Sequence, residues 1–349
     1  MAESPRPPDA GEAEAALKAR VRRIHIVAAV MAVGWILASA LGTVWLSERA
    51  LSRYLADAAQ DAATDAKAIS GVVDQTFQEL AALPHVLAQS GELQAIARRY
   101  SARGPAFAAL SRDERNKQLR GDPDVSSVTA KLTAVRNSLD YDLIYVLDTN
   151  GIRIISSDWD QPLSLLGERL DNREYFRAAI EERAGHMFAV ARTTKNPVLF
   201  FSAPMDTASG PIGVVVVRQD SDYLGSMLAA GGRNLAMIVD GAGVIVAASR
   251  KGLALTHVGD LAGSRPEAAT ARDVYGQEQM RTLAVTRPPR PLHGAEWIFE
   301  SHPYLVSTTG LANTNYKLMV LSPIERLEMV RPLHYAVGVM VAVFGALIA

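Results

Sequence analysis

Leu143-Ile144-Tyr145-Val146-Leu147, followed by Asp148-Thr149-Asn150-Gly151 and a second β-rich run at residues 152–156, is the stretch that decides the fold. Asn-Gly supplies the backbone of a tight hairpin turn, so the two runs pair antiparallel. The pattern returns more loosely at Leu235-Ala236-Met237-Ile238-Val239, Asp240-Gly241-Ala242-Gly243 and residues 244–248. Two copies of one strand–turn–strand unit predict two similar sheet modules in tandem. Runs at residues 187–192, 197–204 and 212–218, the last two joined by a turn at 206–211, extend the first sheet. Residues 297–300, 304–308 and 316–321 extend the second. Helical stretches lie between and around the strands, so the expected class is α+β with antiparallel sheets.

Upstream the period changes from strand to helix. Leu51, Leu55, Ala58, Ala62, Ala66, Ile69, Val73, Phe77 and Leu80 recur at spacings of three and four. That is one apolar stripe on a long helix. The stripe can pack on the chain's own modules, or on a second copy in a parallel homodimer. Both readings can hold over different lengths of it. Residues 91–100 and 126–139 read as further helices, and 103–124 as polar sequence broken by Gly and Pro.

Residues 24–46 hold no Asp, Glu, Lys or Arg over about 23 positions. A helix of that length crosses a hydrocarbon core of roughly 30 Å. Lys18, Arg20, Arg22 and Arg23 precede the run, against Arg49 and Arg53 after it. Cytoplasmic flanks are the basic ones, so the N-terminus is expected in the cytoplasm and the modules outside the inner membrane. The competing reading is a cleaved signal peptide, because Ala38-Ser39-Ala40 resembles a cleavage site. Continuation of the run through Leu41, Val44, Trp45 and Leu46 argues against it. A second apolar run, residues 335–349, makes roughly 22 Å of helix and reads as the start of a second span. The expected order is a cytoplasmic tail at 1–23, a membrane helix at 24–46, a stalk with short helices at 47–125, a membrane-distal module at 126–228, a membrane-proximal module at 229–322, and an exit helix with a truncated second span at 323–349.

Composition narrows the function. The 36 basic and 37 acidic residues leave a net charge of -1, which offers no basic face for nucleic acid. The absence of cysteine excludes disulfides and thiolate metal sites. The seven histidines show no metal-ligand spacing. A Gly-rich phosphate loop, His-Glu-x-x-His and G-x-S-x-G are all missing. No catalytic site, metal or cofactor is expected. A large polar segment between two membrane runs suits the sensing half of a receptor. The reading from a different class is a membrane-anchored module that binds a protein partner.

Several stretches, in order, resemble a known family: residues 145–151, Ser156-Ser157-Asp158-Trp159, Asn172-Arg173-Glu174-Tyr175-Phe176, Thr193-Thr194 and residues 213–218. They are similar to the double Cache (tandem PAS-like) periplasmic sensor domains of bacterial receptors, most of all those of four-carbon-dicarboxylate sensor histidine kinases. The resemblance implies a stalk helix, two PAS-like modules, a small carboxylate bound in the distal one, and a cytoplasmic output. That output is a histidine kinase, with a diguanylate cyclase or chemoreceptor as alternatives. It also implies that Arg173 clamps a ligand carboxylate and that Thr193 and Thr194 contact one. Amino-acid-binding relatives would end the strand at 213–217 in an Asp that pairs with the ligand's ammonium group; here it ends in Arg218. The family often has Pro where Glu174 stands, and a carboxylate pointing inward there would weaken anion binding.

The chemistry of these residues points the same way. A guanidinium matches a carboxylate with a planar fork of donors. Two cations at opposite ends of a small cavity, Arg173 and Arg218, select a short dianion over a zwitterion. Hydroxyl and amide donors at Thr193 and Thr194 complete an anion's coordination without excess charge. Tyr145, Trp159, Phe188, Phe200 and Phe201 are expected to wall the cavity, although each more often fits an ordinary core position, and Tyr175 and Phe176 accompany Arg173 in the binding set. The expected partners are a small carboxylate, the membrane and a second copy of the chain. The second module has no Arg-x-Tyr-Phe set and is expected to transmit rather than bind.

Overall fold

A computed structural model describes residues 10–191, 196–230, 232–261, 265–288, 296–312, 314–324 and 327–348. Helix α1 (Ala10–Ala88) runs unbroken for 79 residues, so the tail, apolar run and stalk read separately in the sequence are one helix. Its apolar stretch is long enough to cross a membrane by length and composition. The described residues form two compact units, the first from α1 up to Gln60 with Ile324 and the last helix, the second from Asp61 through Pro323.

In the first unit the last helix, α9 (Leu327–Ile348), lies against α1. Trp35 Nε1 donates to the Val341 carbonyl at 3.1 Å. A Cβ at Gly338 would strike Thr43, and one at Gly345 the Trp35 indole. Small residues at such crossings let two helices approach closely in lipid. The apolar part of α9, Tyr335–Ile348, is shorter than a span.

The second unit holds both sheet modules. The first is entered through α2 (Gly91–Ala102), α3 (Gly104–Ala109), α4 (Arg112–Arg120) and α5 (Pro123–Ser138). Helices α3 and α4 occupy the stretch expected to be irregular. Ser111 and Glu114 form a capping box that starts α4, and the Asp122 carboxylate accepts from the N–H groups of Asp124 and Val125 to start α5. Buried Arg115 ties this layer together, donating to the carbonyls of Ala108, Leu110 and Gly167.

Strands β1 (Leu143–Leu147), β2 (Arg153–Ser156), β3 (Gly185–Val190), β4 (Pro197–Thr207) and β5 (Gly210–Asp220) form one antiparallel sheet in the order β2-β1-β5-β4-β3. The helices α2 and α5 pack on one face with Ile144, Val146 and Val215. Helix α6 (Glu174–Glu182) packs on the other with Tyr145, Val214 and Val216.

The second module follows α7 (Ser221–Ala229). It comprises β6 (Leu235–Val239), β7 (Ile245–Ala248), a small parallel pair of β8 (Thr256–His257) with β9 (Arg281–Thr282), helix α8 (Ala268–Asp273), β10 (Val285–Thr286), β11 (Glu296–Phe299), β12 (His302–Gly310) and β13 (Lys317–Pro323). Its large sheet runs β10-β11-β12-β13-β6-β7. Pro323 therefore ends a strand, paired with Tyr304, where the sequence suggested the start of the exit helix.

The stalk stripe divides. Ala66, Val73, Phe77 and Leu80 join one core cluster with Phe201 of β4 and Leu318 of β13. The Phe77 ring stands edge-on to Phe201 and to Tyr316, both at 5.8 Å. Over that length the stripe packs on the chain's own modules.

Candidate ligand-binding site

The face of the first sheet beneath α6 collects the chemistry. Strand alternation puts Leu143, Tyr145 and Leu147 on this face, and the register then dictates their neighbours. Leu143 pairs with Arg218, Leu147 with Arg153, and Tyr145 with both Ser156 and Val216. Phe200, opposite Arg218 on β4, joins the same face. The Arg153 guanidinium sits over the Tyr145 ring, 4.0 Å from its centroid. Arg153 is 3 % exposed and Arg218 9 %, so two guanidinium groups are buried on one sheet face.

Each cation is partly balanced. Arg218 Nε donates to Asp142 Oδ2 at 2.5 Å. Arg153 Nη1 lies 3.8 Å from Asp158 Oδ2 and donates to Ser156 Oγ at 3.4 Å. Among the described residues, two buried polar atoms on this face lack a well-formed hydrogen bond: Arg153 Nε, and the Tyr145 hydroxyl, which has Tyr175 as a polar neighbour. Burial pushes the Tyr145 phenol well up, the neighbouring Tyr175 adds to this, and Arg153 and Arg218 oppose it. The hydroxyl thus lies in the field of both guanidinium groups. Unpaired buried polar atoms cost free energy, and they mark positions where a further group can bond.

Helix α6 forms the lid of this face. Arg173 is its half-buried N-cap residue, with extended backbone, directly ahead of Tyr175 and Phe176, which face the sheet. Tyr175 stacks on Phe200 at 4.8 Å and stands edge-on to Tyr145 at 6.4 Å. Ser202 Oγ donates to the Tyr175 carbonyl at 2.7 Å and fixes the helix to β4. A side chain at Gly185 would collide with that same carbonyl, so glycine permits the close approach.

Of the residues expected at the site, Tyr145, Tyr175, Phe176 and Arg218 share this face, with Arg173 at its edge. Trp159 packs instead with the cluster under α2 and α5, below the Arg120 guanidinium. Phe188 points from β3 to the opposite side, 6.1 Å from the Tyr275 ring. Thr193 and Thr194 lie outside the described residues. Sequence reading missed Arg153. The signal was there: it stands two residues after Gly151, at the position of the return strand that pairs with Leu147.

A cleft of about 810 Å³ lies between the outer side of α6 and the turn after β6. Glu174, Glu181, Glu182 and Asp240 line it with Arg177. Among its described lining residues these four carboxylates outnumber the one arginine. Glu174 belongs to this cleft and stands exposed, away from the sheet face.

Two tandem PAS-like sheets behind a long helix, with a helix-covered polar face in the first, define an extracytoplasmic-type sensor fold. The Cache domain family (dCache_1) matches residues 47–329, and the chain belongs to it. It is 24% identical over 316 residues to the C4-dicarboxylate transport sensor protein DctB of Rhizobium meliloti, covering 89% of this chain and 47% of that protein. It is 24% identical over 212 residues to DctB of Pseudomonas aeruginosa, covering 60% of this chain and 32% of that one. The chain thus spans about half or less of the length of these relatives. Among solved structures, the sensor domain of the V. cholerae histidine kinase DctB superposes with a TM-score of 0.58 at 19% identity, covering 78% of this chain and 98% of that domain. The periplasmic domain of RsbU from Chlamydia trachomatis superposes with a TM-score of 0.52 at 14% identity, covering 79% and 96%.

Proposed function

We propose that this chain is the sensing region of a transmembrane receptor and that it binds a short dicarboxylate between α6 and the first sheet. The observation that carries the reading is the pair of buried arginines, Arg153 and Arg218, on one sheet face where Arg153 Nε and the Tyr145 hydroxyl lack a well-formed hydrogen bond. Cations at two ends of one face suit two carboxylates. The relatives named for C4-dicarboxylate sensing support the same ligand class. A histidine kinase output, reached through α9, follows from the name of one structural relative and belongs to the proposal. So does a cytoplasmic N-terminus, which rests on Lys18, Arg20, Arg22 and Arg23 ahead of the apolar run.

Calorimetry on the full chain in detergent tests this reading. Succinate, malate or fumarate should bind, and neutral amino acids at least tenfold more weakly. Arg173→Ala should cost at least tenfold, since losing a buried charge-assisted contact costs about 2–5 kcal/mol. Absence of dicarboxylate heat would refute the ligand class. Reporter fusions after Arg53 and after Asp220 should be active only outside the cytoplasm, and activity inside would reverse the orientation.

A further inference from the structure

We infer that Asp142 is an internal competitor for Arg218, displaced by the ligand's second carboxylate, and that this displacement is what the stalk helix feels. The inference rests on the dicarboxylate reading above. The guanidinium that faces the site is already paired, because Arg218 Nε donates to Asp142 Oδ2 at 2.5 Å. The two partners are unequally placed. The Asp142 side chain is 30% exposed and the Arg218 side chain 10%. Asp142 can therefore leave for water at little cost, while Arg218 stays to receive another anion.

Asp142 belongs to the short link between α5 and β1, which lies beside the end of β5. Its N–H donates to Gln219 Oε1 at 3.3 Å, and Gln219 Nε2 donates to the Asp140 carbonyl at 3.3 Å. Asp140 has φ of +56°, a left-handed backbone that a residue with a Cβ seldom adopts. Between the two aspartates, Tyr141 is half-buried against two core clusters at once. One of these contains Phe77 and Leu80 of α1. Leu224 and Leu228 of α7 belong to that cluster as well.

A route follows from these contacts. A carboxylate that captures Arg218 frees Asp142, and movement of residues 140–142 carries Tyr141 against α1. A monocarboxylate held at the Arg153 end leaves the ion pair in place. The pair thus makes the second carboxylate, rather than occupancy alone, the event that is transmitted. A ligand shifts a two-state element only through such a difference in contacts.

The test compares succinate with butyrate, which has the same length and one carboxylate fewer, on the full chain in detergent. Wild type should bind succinate at least tenfold more tightly. Asp142→Asn should tighten succinate at least fivefold and leave butyrate within twofold. Arg218→Gln should bring succinate to within threefold of butyrate. Hydrogen exchange on the wild-type chain gives a readout that needs no variant to fold: amides at 140–142 should exchange at least threefold faster with succinate and unchanged with butyrate. Succinate affinity within twofold of wild type in Asp142→Asn, weaker binding in that variant, or slower exchange at 140–142 would each overturn the inference while wild-type binding keeps the ligand reading intact. A wild-type chain that ignores succinate would overturn both.

Discussion

Asp148 in the first module accepts backbone N–H bonds from Asn150 and Ile152, and Asp240 in the second accepts them from Ala242 and Val244. Both strand pairs then slip by one residue at the same place, between Val146 and Leu147 in one and between Ile238 and Val239 in the other. The backbones agree, yet the side chains on corresponding faces do not. Tyr145 corresponds to Met237, and Arg153, opposite Leu147, to Ile245, opposite Val239. Ser156 corresponds to Ala248, and Arg218, opposite Leu143, to Leu321, opposite Leu235. These four polar side chains of the first sheet face have apolar counterparts, and the counterparts belong to one buried cluster with Trp297 and Phe299. One frame thus serves two ends: a face that spends stability on buried polar groups, and a face that spends none. Function sits in the substitutions on the frame rather than in the frame.

The largest expected effect comes from forcing the second face to resemble the first. Ile245→Arg buries a guanidinium with no carboxylate supplied, and an uncompensated buried charge costs about 3–5 kcal/mol. Urea unfolding reads this directly. A loss under about 1 kcal/mol would mean that water reaches this face, and the contrast between the modules would fail.

The reverse exchange should separate function from stability. Arg153→Met removes a buried cation whose Nε has no partner, while Asp158 keeps its bonds from Ser156 and Ser164. Replacing a buried ion by a well-packed apolar group is often neutral or stabilising. Stability should stay within about 1 kcal/mol of wild type, and dicarboxylate affinity should fall at least tenfold. Unchanged affinity with unchanged stability would remove Arg153 from the site.

Tyr145→Phe is a finer version of the same test. A buried hydroxyl without a well-formed hydrogen bond costs about 1–3 kcal/mol in desolvation, so deleting it should raise stability by about 1 kcal/mol. Affinity for succinate should fall a few-fold. A loss of stability instead would show that the hydroxyl is satisfied within the folded chain.

How far the sequence already carried this comparison depends on the residue. The strands from Leu143 to Leu147 and from Leu235 to Val239 were legible to the residue, because an apolar run ending in an Asp-anchored turn leaves little choice. Arg173, Tyr175 and Phe176 were legible as a local set. Arg153 was not, because its importance comes from pairing across the sheet with Leu147 and stacking on Tyr145, and a one-residue slip at the turn sets that register. Trp159 and Phe188 were expected at the cavity, yet the faces of their elements turn them elsewhere. Asp142 stands just ahead of the first strand, and only the fold brings Arg218, from 76 positions on, against it. The stalk stripe was ambiguous for a physical reason: the same period serves a dimer seam and an intrachain face.

The smallest expected effect distinguishes the two turns themselves. Burial is the largest influence on both the Asp148 and Asp240 carboxyls and raises each above the ordinary value of 3.8. A raised carboxyl contributes stability below that ordinary value and loses it as pH climbs through the raised one, so at neutral pH each ionised aspartate is a cost. Asn at position 148 keeps an oxygen for the N–H groups of Asn150 and Ile152 and carries no charge. Asp148→Asn should therefore be neutral or up to about 0.5 kcal/mol more stable at pH 7, with the gain gone near pH 3, where the native carboxyl is itself neutral. Asp240 has a second duty, since its Oδ2 accepts the Tyr275 hydroxyl at 2.5 Å. An amide in its place gives up that charge-assisted bond, and Asp240→Asn should lose about 1–2 kcal/mol at pH 7. Thermal or urea unfolding of the two variants side by side measures the difference. Equal behaviour would mean that the Tyr275 bond adds nothing to the turn of the second module.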